Sequence, residues 1–353
     1  MKAFVIAEIG INHNGSLENA FKMIDAAVEA GCSAVKFQLF TAKNLYPKTA
    51  GRINWYDSDK KYSYDIFEAV KAFELPLNWI DRLMAYCSLA GIEFISSVFD
   101  AKEMHALVTR GIKKIKLSSY TITNLPLIEA AAKTGLPILM STGGATLGEV
   151  EEAVNVIKMH HRKIALLHCS IKYPTDLKDC NMGVLETLKF AFPGIDRGYS
   201  DHTREISAAA IQSIYLGGSI VEKHITLDKN MKGPDHFFAL DPRELKKMVA
   251  DIAEAEAIHA ENKIEIDPVI YGSSEKRTYT HEKYLRDFAY MTLFSKKKIK
   301  KGKIISPDDI AILRSGKKES GLLPKYLKLF QENKIIAKRD LKSEEPLNWD
   351  AIL

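Results

Sequence analysis

No stretch of this chain approaches the roughly 18 consecutive apolar residues that a bilayer-spanning helix requires, which excludes a membrane-embedded role. Cysteine is scarce. Only Cys32, Cys87, Cys169 and Cys180 occur in 353 residues, without paired spacing, so neither a disulfide framework nor a zinc knuckle is expected and the thiols read as reduced core groups. No basic leader or small-residue cleavage site accompanies the apolar run from Met1 to Ile11, which is therefore expected to be the first buried strand of a cytoplasmic protein. Nor does one sign of charge dominate. The formal net charge is only +5, and it is concentrated late: from Arg286 onward there are 16 Lys and Arg against 9 Asp and Glu. Runs such as Lys296-Lys297-Lys298 and Lys300-Lys301 read as a solvated face rather than a nucleic-acid surface.

What the chain does have is enough apolar residue, 46%, to bury a full core, in a length that suits one large domain and one small one. Short β-rich apolar runs alternate with amphipathic helical stretches up to about residue 260, the pattern of repeated βα units around a parallel sheet. The strands are expected at Phe4 to Ile9, Ala34 to Gln38, Glu93 to Ser97, Lys114 to Leu117, Ile138 to Ser141, Ile164 to His168, Arg197 to Ser200 and Ile220 to His224. Helices are expected at Leu17 to Ala30, Leu77 to Ala90, Leu147 to Met159 and Ile206 to Leu216, with Gly31, Gly91 and Gly217 as stops. Eight such units in this length suit a closed α/β (β/α)₈ barrel over residues 1–261. The segment from Phe40 to Phe73 is too long for a simple loop and is expected to cover the barrel mouth. Residues 262–285 lack a clean period and read as a linker. A small β-rich domain, 286–353, should follow, with pieces at Phe288 to Phe294, Ile304 to Leu313 and Ile335 to Asp340, and should need a barrel to pack on.

Chemistry in such a barrel collects at the C-terminal ends of the strands, and polar residues recur there. The first strand ends in Glu8, the second carries Lys36 and Gln38, and the fourth has Lys116 followed by Ser118 and Ser119. The fifth ends in Ser141-Thr142-Gly143-Gly144 and the sixth in His168-Cys169-Ser170. The seventh runs into Ser200-Asp201-His202, and the eighth carries Glu222 and His224. Residues two apart share a strand face, so Lys36 with Gln38, and Glu222 with His224, point the same way. One such residue alone reads as a paired core group. Seven polar strand ends together read as an active site, because a buried charge is costly unless it is paired. His202 and His224 end adjacent strands and could share one ion; two imidazoles with oxygen ligands suit Mn²⁺, Fe²⁺, Co²⁺ or Zn²⁺. Lys36, Lys116, Ser119, Ser141 and Ser200 supply the cations and hydroxyls of a phosphate or carboxylate cradle.

These residues sit in motifs that resemble the sialic acid synthases and their pseudaminic and legionaminic acid relatives, from end to end. The specific pieces are Ala7-Glu8-Ile9-Gly10-Ile11-Asn12-His13-Asn14-Gly15, Val35-Lys36-Phe37-Gln38, Met140-Ser141-Thr142-Gly143, Ser200-Asp201-His202-Thr203, and Val221-Glu222-Lys223-His224 followed by Gly233-Pro234-Asp235. The tail is similar to the family's antifreeze-like (SAF) domain through Arg314-Ser315-Gly316 and Gly321-Leu322-Leu323-Pro324. The resemblance implies a TIM barrel that condenses phosphoenolpyruvate with an N-acetylmannosamine-like sugar, using Mn²⁺ or another divalent ion such as Mg²⁺ or Co²⁺. It also implies a domain-swapped homodimer. By position, His202 and His224 would bind the metal. Lys36, Lys116, Ser119, Ser141 and Ser200 would hold phosphoenolpyruvate, and Glu8 or Glu222 would guide the water that completes the reaction. Tyr173 and Asp235 would face the sugar, as would Arg314 from the partner subunit.

Three departures bear on the sugar. Tyr120-Thr121 stands where Gly-Glu is usual, Ile171 where Asn or Ser is frequent, and Ser315 where Pro is usual. The rival readings are another phosphoenolpyruvate-dependent synthase of shorter sugar acids and a non-catalytic carbohydrate- or nucleic-acid-binding protein. The second leaves the polar strand ends unexplained.

Overall fold

The computed structural model describes residues 2–57, 60–261 and 264–352. Asn262 and Lys263, where the linker was expected to begin, lie outside the described residues. Eight parallel strands close into a barrel: β1 (Phe4–Gly10), β2 (Ala34–Leu39), β3 (Glu93–Val98), β4 (Ile115–Leu117), β5 (Ile138–Ser141), β6 (Ile164–His168), β7 (Asp196–Asp201) and β8 (Ile220–His224). Each strand neighbours the next in sequence, and β1 pairs with β8 to complete the ring. The helix between β1 and β2, Leu17–Ala30, starts because the Ser16 side chain accepts the Asn19 N–H, and stops at Gly31 in the left-handed conformation. The helix expected from Leu77 begins as a 3₁₀ turn, Leu77–Trp79, before the α-helix Ile80–Ala90.

The strand side chains alternate between two cores. Val5, Ala7, Val35, Phe37, Leu117, Met140, Leu166 and Val221 pack outward under the helices. Ile6, Ala34, Ile95, Leu139, Ala165, Leu167 and Ile220 fill the barrel interior as an apolar plug. Two residues further along the strands the inward positions turn polar: Glu8 after Ile6, Lys36 after Ala34, Ser141 after Leu139, Glu222 after Ile220. The barrel thus has a dry base and a charged upper layer. Strand register aligns Glu8 with Lys36 on one side and His224 on the other, and Glu222 with Ser200.

As expected, residues after β2 cover the mouth. They form a short helix Ala42–Leu45, an antiparallel strand pair Arg52–Asp57 and Lys60–Asp65, and a helix Ile66–Lys71. Phe40, Leu45, Tyr46, Ala50 and Ile66 cluster there with Phe99, Phe288, Ala289 and Met291.

The described part of the expected linker is not loose. It contains a helical turn Pro268–Tyr271 and runs into a helix Lys283–Ala289, and Lys276 and Glu282 within it are buried. Side-chain bonds to the loop after β5, which leave no period in sequence, hold it down. In the tail, β9 (Met291–Ser295) and β10 (Ile310–Arg314) pair antiparallel over a separate apolar cluster that includes Leu293, Ile305, Leu322, Phe330, Ala337 and Leu347. Of the expected β pieces, Phe288 instead lies in a helix, and Ile304, Ile336 and Ala337 form isolated bridges only.

The tail docks on its own barrel. The Gly316 N–H donates to Phe288 O at 2.9 Å and the Lys317 N–H to Ala50 O at 2.8 Å, while Gly316 takes φ 62°, where a Cβ would stand 2.7 Å from Ala50 O. The resemblance implied that Arg314 enters the site of a partner subunit. Here this turn, seated on the mouth-covering segment, carries Arg314 into the cavity of its own chain.

Gly198 on β7 leaves no room for a side chain against β8: a Cβ there would lie 2.0 Å from the Ile220 carbonyl oxygen. Gly198→Ala is expected to lower unfolding free energy by about 3 kcal/mol through overpacking. Urea denaturation measures this, and an unchanged midpoint would contradict the packing described.

Candidate active site

The charged layer of the barrel is built from alternating signs. Lys36 Nζ lies 2.7 Å from Glu8 Oε2 and 3.6 Å from Glu222 Oε1, and Lys116 Nζ lies 3.7 Å from Glu222 Oε2. Hydroxyls and an amide complete the layer. Lys36 donates to Ser97 Oγ at 3.1 Å, Lys116 to Ser141 Oγ at 2.6 Å, Ser200 to Glu222 at 3.0 Å and Gln38 to Glu8 at 2.7 Å. All four charged groups are almost fully buried.

Burial opposes the charge of Lys36, yet Glu222 and Glu8 outweigh it and hold the ammonium above the usual lysine range. Lys116 goes the other way. Burial pulls it below that range, and Glu222 restores only part. Burial also resists charge on Glu222, but Lys116, Lys36 and the Ser200 hydroxyl keep its carboxyl below the ordinary value. Burial lifts Glu8 above that value against the pull of Lys36. Lys116 is therefore the least compensated cation of the layer, and it stands beside the hydroxyls of an anion cradle. Ser119 Oγ accepts the Gly143 N–H at 3.0 Å, and Cys169 Sγ lies 3.0 Å from the same oxygen.

His202 and His224 meet at the rim, ring centroids 5.5 Å apart. His202 Nδ1 lies 2.8 Å from the Ser170 carbonyl oxygen; a carbonyl only accepts, so Nδ1 carries the proton and Nε2 keeps a free lone pair. His224 Nδ1 is buried without a hydrogen-bond partner, and Asp235 Oδ2 stands 3.7 Å away, too far to supply one. Burial pulls His202 down to about 4 and His224 well below its ordinary value, so both rings are neutral at pH 7. Two neutral imidazoles are a donor set that fits a borderline divalent ion. Among the described residues no three or more His, Cys, Asp or Glu side chains surround one point as a metal site. An ion held by the pair would take its remaining ligands from water or substrate. Behind them, Lys223 and Asp201 form a fully buried pair at 2.8 Å, and Lys223 also donates to the carbonyls of Thr203 and Glu205, tying down the loop that carries His202.

Above this floor lies an aromatic roof. The Arg314 guanidinium stands 4.8 Å from the Tyr120 ring centroid, 5.1 Å from Phe99 and 5.7 Å from Tyr46, and its Nε is buried without a hydrogen-bond partner. Tyr173 packs its ring 4.2 Å from His202. Burial, with Glu8 adding, pushes the Asp235 carboxyl up to about 7.

Floor and roof enclose a cavity of about 500 Å³, within the range of small-molecule sites, about 300–1,000 Å³. Glu8, Lys36, Gln38, Lys116, Ser119, Ser141, Tyr173, Ser200, His202, Glu222, His224, Asp235 and Arg314, the side chains picked out from the sequence, all line it. His168 does not: it turns away to the Cys180 carbonyl at 2.8 Å. Sequence reasoning missed Ser97 and the roof residues Tyr46, Phe99 and Phe288; only Ser96-Ser97, two hydroxyls in an apolar strand, offered a local signal.

The three departures have separate outcomes. Tyr120, at the place of the glycine, lies in the roof under Arg314, while Thr121, at the place of the glutamate, is buried outside the cavity and donates to Ser118 O at 2.8 Å, so no carboxylate faces that side. Ile171 does not line the cavity. Its side chain fills the space beside Gly143 and Gly144, where Cβ atoms would stand 2.8 Å and 2.7 Å from it. Ser315 is buried in the tail, 3.3 Å from Thr292 Oγ1.

The profile of the NeuB family matches residues 23–263. The spore coat polysaccharide biosynthesis protein SpsE of Bacillus subtilis is 39% identical over 352 residues, covering 99% of this chain and 93% of that protein. Its crystal structure superposes with a TM-score of 0.88 over 100% of this chain and 95% of its own. The N,N'-diacetyllegionaminic acid synthase of Legionella pneumophila is 34% identical over 329 residues, 92% of this chain and 88% of that protein. A crystal structure of an N-acetylneuraminic acid synthetase from Leptospira borgpetersenii, in complex with citrate, shares 31% identity and a TM-score of 0.68 over 76% of this chain and 88% of its own.

Removing Glu222 leaves two buried lysines facing Glu8 alone. Glu222→Ala is expected to cost about 3–5 kcal/mol in urea denaturation, and added inorganic phosphate should recover part of the loss by pairing with the freed ammonium groups. A variant as stable as the parent would contradict the charge alternation.

Proposed function

The chain belongs to the NeuB family, and from that premise we propose that it condenses phosphoenolpyruvate with an N-acetylmannosamine-type amino sugar to a nine-carbon nonulosonic acid, releasing phosphate. The observation that carries this reading is the pairing of an under-compensated Lys116, flanked by Lys36, Ser119 and Ser141, with a neutral imidazole pair across one cavity. In it, Lys36 and Lys116 hold the phosphate and carboxylate of the enol phosphate from the floor, together with the hydroxyls of Ser119, Ser141 and Ser200. Their positions are fixed before substrate arrives, so little reorganisation accompanies the shift of charge.

His202 and His224 would hold a divalent ion, Mn²⁺ on the family resemblance with Mg²⁺ or Co²⁺ as other occupants, whose Lewis acidity when bound polarises the aldehyde oxygen of the open-chain sugar. C3 of the enol phosphate bonds to that aldehyde carbon. Glu8 and Glu222 orient the water that adds to C2, and one of them takes its proton. The bond from C2 to the bridging phosphate oxygen then breaks and phosphate departs with the bonding pair and the second proton of the added water, leaving C2 as the ketone, while the first proton passes from the carboxylate to the former aldehyde oxygen. Asp235 and Tyr173 face the sugar, and Arg314 offers its unpartnered Nε–H to the oxygen of an N-acyl group. The tail thereby serves as the antifreeze-like domain that closes the sugar side. The aromatic faces of Tyr120, Tyr46 and Phe99 favour an acceptor that turns an acyl substituent, rather than a row of hydroxyls, toward the roof.

Phosphate release over a panel of N-acetylmannosamine, diacetamido hexoses and unacetylated mannose tests the reading, with product mass separating nine-carbon from shorter acids. Turnover should stop on exhaustive chelation and return with Mn²⁺; full activity after chelation would rule out the imidazole pair as a metal site. Arg314→Ala is expected to raise KM for the sugar by about tenfold or more while KM for phosphoenolpyruvate stays within about threefold, and equal changes in both would refute the assignment of Arg314 to the acyl group.

A further inference from the structure

The segment that joins barrel to tail touches the site from behind. Its Lys276 ammonium donates to Ala145 O at 2.7 Å, the Thr278 hydroxyl and an Arg286 N–H both donate to Gly144 O at 2.7 Å, and the Tyr290 hydroxyl donates to Gly143 O at 2.8 Å. All of these grip one short loop, the one that follows β5 and supplies the Gly143 N–H to Ser119 Oγ.

Glu282 does more than grip that loop. Its side chain is 2% exposed, and its Oε1 accepts two backbone N–H groups, Gly144 at 3.2 Å and Ile171 at 3.1 Å, which belong to the loops after β5 and after β6. Its Oε2 accepts the Tyr279 N–H at 3.0 Å, which fixes the carboxylate to its own segment. One oxygen thus spans two neighbouring loops, one following Ser141 and the other beginning at Cys169, two residues that line the cavity. A carboxylate in this position engages both N–H groups from behind, while the Gly143 N–H holds Ser119 Oγ, whose side chain lines the cavity. The loops have no slack, because Ile171 fills the space beside both glycines.

We propose that Glu282 is a positioning residue: by bridging the Gly144 and Ile171 amides it sets the spacing of the Ser119–Gly143 cradle, and so the binding of the phosphate half of the substrate. This rests on the reading of that cradle as the phosphoenolpyruvate site. The helix that begins at Lys283 carries Phe288 and Ala289 into the roof, so the same segment references the roof to the cradle.

The test is steady-state kinetics of the full chain, varying each substrate separately. Glu282→Ala should raise KM for phosphoenolpyruvate by about tenfold or more and leave KM for the sugar within about threefold. Glu282→Gln, whose amide oxygen still accepts both N–H groups, should return to within about threefold of the parent. Glu275→Ala, on the same segment but exposed, should change neither constant. Equal rises in both constants, or a glutamine variant as impaired as the alanine one, would overturn the proposal. Should the alanine variant fail to fold, Glu282→Asp withdraws the carboxylate by one methylene and should raise KM for phosphoenolpyruvate alone by about threefold; no change would overturn the proposal equally. If the parent proves not to use phosphoenolpyruvate, hydrogen exchange still reads the positioning itself. Peptides spanning 142–146 and 169–173 should exchange faster in Glu282→Asp while 34–39 does not, and unchanged exchange would sink the bridge independently of the reaction.

Discussion

Four ionisable side chains buried within reach of one another, Glu8, Lys36, Glu222 and Lys116, constrain the rest of this barrel. A buried charge survives only with a partner, and here each partner comes from a different strand: Glu8 from β1, Lys36 from β2, Lys116 from β4 and Glu222 from β8. Strand register is therefore tied to electrostatics. A slip of one residue in any of these strands would exchange the charged row for the apolar one and strand an ion among aliphatic groups. The dry plug of Ile6, Ile95, Leu139 and Ile220 below it serves the same end, keeping water from the base and the effective dielectric low, so that the layer acts strongly on whatever enters from above.

The two halves of the cavity are made by opposite means. The floor is rigid and polar, built on strand ends with side chains locked by mutual bonds. The roof is borrowed from segments far apart in the chain: the stretch after β2, Tyr120 after β4, the helix Lys283–Ala289 and the turn at Arg314. Such a division suits a site in which one substrate is recognised by charge and the other by shape. It also explains how Tyr120-Thr121 can stand in place of Gly-Glu without disturbing the floor, since Tyr120 packs in the roof against Arg314 and Tyr290.

Much of the floor was legible in the sequence because its residues obey a local rule. Period-two alternation within a strand puts Lys36 with Gln38, and Glu222 with His224, on the face opposite Val35 and Val221, and a polar residue ending an apolar run is visible without coordinates. Where the rule weakened, the reading weakened. Ser97 was overlooked because a small hydroxyl in a strand passes for filler, and His168 was overcounted because its outward turn to Cys180 has no signature in spacing. The roof, the tail's seat on its own barrel and the bonds of residues 276–290 depend on contacts between distant segments. No periodicity encodes them, and a stretch that looked like a linker proved to be a buttress.

The interlock of Gly143 and Gly144 with Ile171 has a consequence for how this enzyme can change. Neither glycine has room for a methyl group: beside Ile171, a Cβ at 143 would also meet Cys169 Sγ at 2.6 Å and Cys169 O at 2.9 Å, and Gly144 holds φ 68°, while a residue smaller than isoleucine at 171 would leave a void behind the cradle. Positions 143, 144 and 171 therefore form a lock of mutually dependent choices. A smaller residue at 171 alone opens neither glycine to substitution, whereas Tyr120 and the roof stand outside this lock. Change should thus meet less resistance at the roof than behind the cradle.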